Sequence, residues 1–141
     1  NRMIGGYIRI PTMHWLIDPF KKYTVFTGRA TRSEYWYFSL FTFLITIGLA
    51  VIDSALGTVD KTTGQGVLGI LWSLFILLPT LAVFVRRLHD TGRSGWWFWI
   101  ALIPVIGAIV LLVFMCIDSQ SEVNQYGANP KRDAAATGIE V

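Results

Sequence analysis

The chain has 141 residues, of which 53% are hydrophobic and only 15% charged, with a mean hydropathy of +0.51. Soluble domains carry about a quarter charged residues, so this composition excludes an ordinary water-facing globule. The net charge of +3 does not point to nucleic acid, because the basic residues flank long apolar blocks instead of forming one patch.

The first twelve residues, NRMIGGYIRIPT, precede Met13. They contain no apolar core ending in a small-residue cleavage site, so they do not read as a signal peptide. The reading adopted is an upstream extension over 1–12, a single integral membrane domain over 13–131 and a disordered polar tail over 132–141. The stretch between Met13 and the first apolar block is expected to lie at the membrane interface.

Three blocks reach the roughly 20 residues that cross about 30 Å of hydrocarbon as helix. They cover about residues 35–52, 67–85 and 96–117. The fold class that follows is all-α, a bundle of three transmembrane helices. Thr31-Arg-Ser-Glu34 has the form of a capping box in front of the first block. Pro79 and Pro104 fall inside spans, where proline is tolerated if neighbours satisfy the freed carbonyls. Pro104 with Gly107 also admits a fourth crossing or a re-entrant break, although arms of about ten residues cannot span.

Six basic residues (Arg2, Arg9, Lys21, Lys22, Arg29, Arg32) precede the first block, and Arg86, Arg87 and Arg93 separate the second from the third. The remaining loops carry Lys61, Lys131 and Arg132. The excess of nine over three places the N-terminus in the cytoplasm and, with three crossings, the C-terminus outside. Trp36, Trp96 and Trp97 begin the first and third blocks and serve as interface anchors on the cytoplasmic side. Two distant stretches, GRATRSEYW and RRLHDTGRSGWW, are thereby expected to meet at one membrane face.

That meeting gathers Arg29, Arg32, Glu34, Arg86, Arg87, His89, Asp90 and Arg93. If the second helix runs to about Asp90 with Gly92 as its stop, Asp90 lies four residues from Arg86 and three from Arg87 on one helix face. Glu34 is a partner for one of these arginines, and Ser94 is placed to cap the next helix. A structural clasp is the bland reading. The sharper one is a site for an anionic lipid headgroup. The sharpest is a His89–Asp90 proton relay, disfavoured because adjacent helical residues point about 100° apart. No catalytic constellation is recognised, and no cofactor is called for. No metal site is read either: Cys116 is the only cysteine, and His14 and His89 are the only histidines.

FTGRATRSEYWYF (Phe26–Phe38), RRLHDTGRSGWW (Arg86–Trp97) and NQYGANPK (Asn124–Lys131) together resemble the YhaH-like small bacterial inner-membrane proteins, the family of domain of unknown function 805. The resemblance implies a cytoplasmic-membrane protein of three or four helices and brings no known reaction, substrate or cofactor. The expected function is therefore that of a non-enzymatic accessory or self-associating subunit, with the lipid bilayer, further copies or a larger membrane complex as partners. The alternative is a small solute or proton transport unit, or an anionic-lipid-binding unit, built on the cytoplasmic-face Arg/His/Asp cluster.

Overall fold

The computed structural model describes residues 19–137. Residues 1–12, expected above to be an extension, lie outside that range, as do Met13, His14 and the last four residues. From Arg32 onward the described residues form four α-helices and one 3-10 helix, and no named strand occurs among the described residues. Helix α1 is Arg32–Leu56, α2 is Val67–Asp90, α3 is Ile106–Cys116 and α4 is Pro130–Thr137; the 3-10 helix, Gly95–Leu102, lies between α2 and α3.

The capping box works at its first position. Thr31 Oγ1 accepts from Glu34 N at 3.2 Å, which satisfies one of the N–H groups that a helix start leaves unpaired. The Glu34 side chain turns to Arg86. Helix α1 ends at Gly57, whose N–H reaches Asp53 O and Ser54 O, the carbonyls that a left-handed cap serves.

Helices α1 and α2 pack antiparallel. The cross-helix bonds run in opposite senses along the two chains: Arg86 to Glu34, Trp72 Nε1 to Thr46 Oγ1 and Leu68 N to Asp53 Oδ1. Both are long and apolar enough to cross a membrane, and only 6% and 17% of their most apolar windows are buried inside the protein. Such exposure separates them from the core helices of a soluble domain, whose apolar faces are covered.

Pro79 has no N–H to give the carbonyl of Phe75, one turn back. Tyr23 replaces it, donating its hydroxyl to Phe75 O at 2.7 Å. The described part of the N-terminal segment thus lies along the two long helices: Phe20 stacks on Phe75 and meets Phe38 edge-on. The sequence alone puts this stretch at the interface; aromatic packing and the vacant carbonyl draw it against the mid-portions of the helices.

The third apolar block does not form the continuous span expected over 96–117. Its first arm is the 3-10 helix, its second is α3, and the two fold into a hairpin around Ile103–Val105. Pro104 ends the first arm, and Val105 takes a φ of 64° that a β-branched residue rarely adopts. Gly107 permits the close approach of the arms, since a Cβ there would stand 1.8 Å from the carbonyl oxygen of Ile100. Trp97 and Phe114, near the open ends of the arms, pack edge-on at 5.5 Å. The expectation of a C-terminus on the far side rested on a continuous third span. Here the hairpin returns the chain to its starting end, and Gln120 N donates to Asp90 O at 3.1 Å.

The tail expected to be disordered from residue 132 is helical as far as Thr137. Asn129 caps it, its Oδ1 accepting from Lys131 N at 3.0 Å, and Lys131 pairs with Asp118. The polar composition that reads as tail is here the exposed surface of a short capped helix.

Candidate functional site

The two charged stretches do meet, at the shared end of α1, α2 and the hairpin, and most of their charges are internal. Asp90 is fully buried. Its Oδ1 accepts from Arg29 Nε at 2.9 Å, and its Oδ2 from Arg87 Nη1 at 2.7 Å and Ser119 Oγ at 2.5 Å. Helical spacing left two partners open for Asp90 within α2. The structure selects Arg87 and adds Arg29 from the loop before α1.

Arg29 spreads its guanidinium over three stretches of chain. Beyond Asp90 it donates to Gln120 O at 2.7 Å, Glu122 O at 2.9 Å and Gly127 O at 3.3 Å. The planar fork of donors suits this many-sided role, which an ammonium on one stem cannot fill. Arg87 likewise reaches Met115 O at 3.2 Å and Ile117 O, closing the last turn of α3. Arg86 turns the other way, to Glu34 Oε1 at 2.7 Å. Arg86 Nε, Arg86 Nη2 and Arg87 Nε are buried without an acceptor.

His89 does not bond its neighbour Asp90. Its Nδ1 faces Gly28 O at 3.1 Å, and its ring stacks on Tyr126 at 3.9 Å and 3°. Asn124 Nδ2 donates to His89 O at 2.9 Å. The segment Asp118–Asn129 is therefore a strap across the end of α2, held by Arg29, Tyr126 and Asn124.

Two of the eight charged candidates sit at the edge of this cluster. Arg93 lies over the Phe114 ring at 3.9 Å, a cation–π contact at the mouth of the hairpin. Arg32 has a side chain 44% exposed, with Asp118 Oδ2 at 3.5 Å. It lines an open groove of about 450 Å³ with Ser33, Trp36, Tyr37 and Cys116. The three anchor tryptophans, Trp36, Trp96 and Trp97, are exposed. Among the described residues, no group of three or more His, Cys, Asp or Glu stands where it can hold a metal ion.

A third buried carboxylate, after Asp90 and Glu34, escapes a reading of charge patterns. Asp53, near the far end of α1, is fully buried and accepts from Leu68 N at 3.1 Å, Gly69 N at 2.9 Å and Thr58 Oγ1 at 2.5 Å. The N-cap of α2 is Gly66, which has no side chain to offer. Asp53 supplies the missing cap from another helix and complements the positive end of the α2 dipole. Its signal in the sequence is a lone acid at the edge of an apolar run, followed by Gly66-Val-Leu-Gly69.

Residues 23–128 match the profile of a family described as "Protein of unknown function (DUF805)". That match covers most of the chain. The chain belongs to the DUF805 family. Relatives agree: Inner membrane protein YhaH of Escherichia coli (strain K12) is 40% identical over 119 residues, covering 84% of this chain and 98% of its own length. Inner membrane protein YhaI of the same organism is 42% identical over 119 residues, with 84% and 97% covered. A third relative, Uncharacterized protein YiiR of the same organism, is 31% identical over 128 residues, covering 74% of this chain and 81% of its own length. No solved structure matches the chain.

Proposed function

We propose that this DUF805 protein is a non-enzymatic accessory or self-associating component of the bacterial inner membrane, with its clasp end in the cytoplasm. One observation carries the reading: the motif charges are spent on each other and on backbone carbonyls. Asp90 takes bonds from Arg29, Arg87 and Ser119, and Glu34 takes one from Arg86. A reactive group needs access to a substrate, and these groups are covered. The remaining large surface is the hydrocarbon of α1, α2 and the hairpin, the kind of surface through which membrane subunits meet lipid and one another.

The orientation follows from the basic residues at the two ends of the long helices. Arg29, Arg32, Arg86, Arg87, Arg93, Lys131 and Arg132 belong to the clasp end, while Lys61 lies in the opposite loop. Positive residues favour the cytoplasmic side. Native mass spectrometry of protein released gently from its own membranes tests the functional reading. A defined assembly or a bound protein partner is expected; a bare monomer overturns it.

The lipid-headgroup alternative narrows to the groove at the start of α1, because Arg29, Arg86 and Arg87 are buried, each already paired with a carboxylate. There Arg32 faces outward beside Trp36 and Tyr37, a cation and amphipathic rings at headgroup level. Anionic lipid that copurifies with the parent protein and is lost in Arg32→Ala supports this second reading. Unchanged lipid sinks it. Transport through a His89 relay finds no comparable support, since Tyr126 and Gly28 cover that ring.

A further inference from the structure

The hairpin Gly95–Ile117 has dimensions that bear on its place in the bilayer. A 3-10 helix rises about 2 Å per residue, so the eight residues of Gly95–Leu102 measure roughly 16 Å. An α-helix rises about 1.5 Å per residue, so the eleven residues of Ile106–Cys116 also measure roughly 16 Å. Two arms with different helical geometries are thus matched in length, and each equals about half the roughly 30 Å hydrocarbon core.

The polarity along the hairpin follows the same depth. No charged residue occurs between Arg93 and Asp118. Arg93 and Asp118 mark the two open ends, and the exposed rings of Trp96 and Trp97 stand beside them. The turn is wholly apolar and bare: Leu102 is 74% exposed and Val105 71%. Hydrocarbon groups this bare are costly in water and comfortable among acyl chains.

The turn also manages its backbone in a way that lipid permits. Non-helical backbone at membrane depth must satisfy its own polar groups. Ile103 N donates to Ile100 O at 3.0 Å, Ile106 N to Pro104 O at 2.7 Å and Gly107 N to Ile103 O at 3.0 Å. Pro104 brings no N–H at all. The arms stand beside the long helices at the clasp end: Phe98 meets Phe84 at 5.8 Å, and Arg32 donates to Cys116 O at 3.4 Å.

We propose that Gly95–Ile117 is a re-entrant insertion that lodges in only the leaflet on the clasp side, with the acyl chains of that leaflet as its partner. The chain then crosses the membrane twice between Arg29 and α4, and the strap and α4 lie on the same side as Arg29. The inference rests on the membrane reading of α1 and α2 given above, but not on which side of the membrane the clasp faces. Its consequence is asymmetry: the hairpin adds volume to one leaflet and none to the other.

Single cysteines placed in a Cys116→Ser background test this with a membrane-impermeant maleimide, applied to intact spheroplasts and to inverted vesicles. Lys61→Cys is expected to label in spheroplasts only, and Ala136→Cys in inverted vesicles only. Val105→Cys and, as a second tip probe, Ile106→Cys are expected to label in neither until detergent is added. Labelling of positions 61 and 136 from the same side overturns the inference, because the third block then crosses. Labelling of either tip cysteine from either side in intact membranes also overturns it. If positions 61 and 136 label from opposite sides but exchanged, the hairpin stands and the cytoplasmic assignment of the clasp falls.

Discussion

Replacing Asp90 by alanine tests how much of the fold depends on the clasp. The substitution removes one small side chain but leaves Arg29 and Arg87 with buried guanidiniums that lose their carboxylate. Even counted at the roughly 1 kcal/mol of an ordinary hydrogen bond, the three lost bonds to Asp90 would cost about 3 kcal/mol together. Stranding a buried charge costs more, about 3–5 kcal/mol when one partner of a buried pair is removed. The second effect wins, because two cations share the loss and their neighbours are backbone carbonyls already in use. A stability of roughly 5–15 kcal/mol leaves little margin for such a change. Thermal unfolding in mild detergent, followed by size-exclusion fluorescence, is expected to fall by on the order of 10 °C. Arg132→Ala is the control: its pair with Glu122 is 3.5 Å long and solvent-exposed, worth about 0–1 kcal/mol. The Arg29→Ala/Asp90→Ala pair is expected to be non-additive by about 0.5–3 kcal/mol. An Asp90→Ala protein within about 1 kcal/mol of the parent would refute the reasoning, since the arginines would then be hydrated in place.

Gly66→Ala is expected to destabilise by about 1–3 kcal/mol, as overpacking does, because the new Cβ would stand 2.1 Å from the Asp53 carboxylate; an unchanged unfolding temperature would count against the cross-helix cap. Gly107→Val should separate the hairpin arms through its clash with Ile100 O, read as faster proteolysis of 95–117 in detergent. Tyr126→Ala removes the ring stacked on His89, a contact worth roughly 0.5–1.5 kcal/mol, and should speed hydrogen exchange in 118–129 while sparing α1. Asp60, in the loop opposite the clasp, accepts from Thr62 and Thr63, which lowers its pKa from 3.8 to about 2. A depressed carboxylate favours the folded loop above pH 3.8, and that contribution is lost as pH falls through about 2. NMR titration of the parent checks the value, and Asp60→Asn should remove this pH dependence.

Much of the local structure was legible because it depends on neighbours in sequence. The cap at Thr31, the end of α2 near Asp90, the Ser94 cap and the apolar lengths of α1 and α2 all follow from spacing and side-chain chemistry. So does the meeting of the two charged stretches, since short antiparallel connections leave few alternatives. Glu34 could be matched to an arginine, but sequence could not say which one, because that choice depends on helix rotation.

Composition determined that this chain belongs with hydrocarbon. Only the tertiary structure decided the course of the third apolar block, because its composition is the same whether it runs straight or doubles back. Pro104, the positive φ of Val105 and the close approach at Gly107 break it, and the backbone of one arm then packs against the other. The same limit hid Asp53 and the strap. A cap donated from another helix and a histidine covered by Tyr126 are distances through space, and residue order carries no record of them until the helices pack.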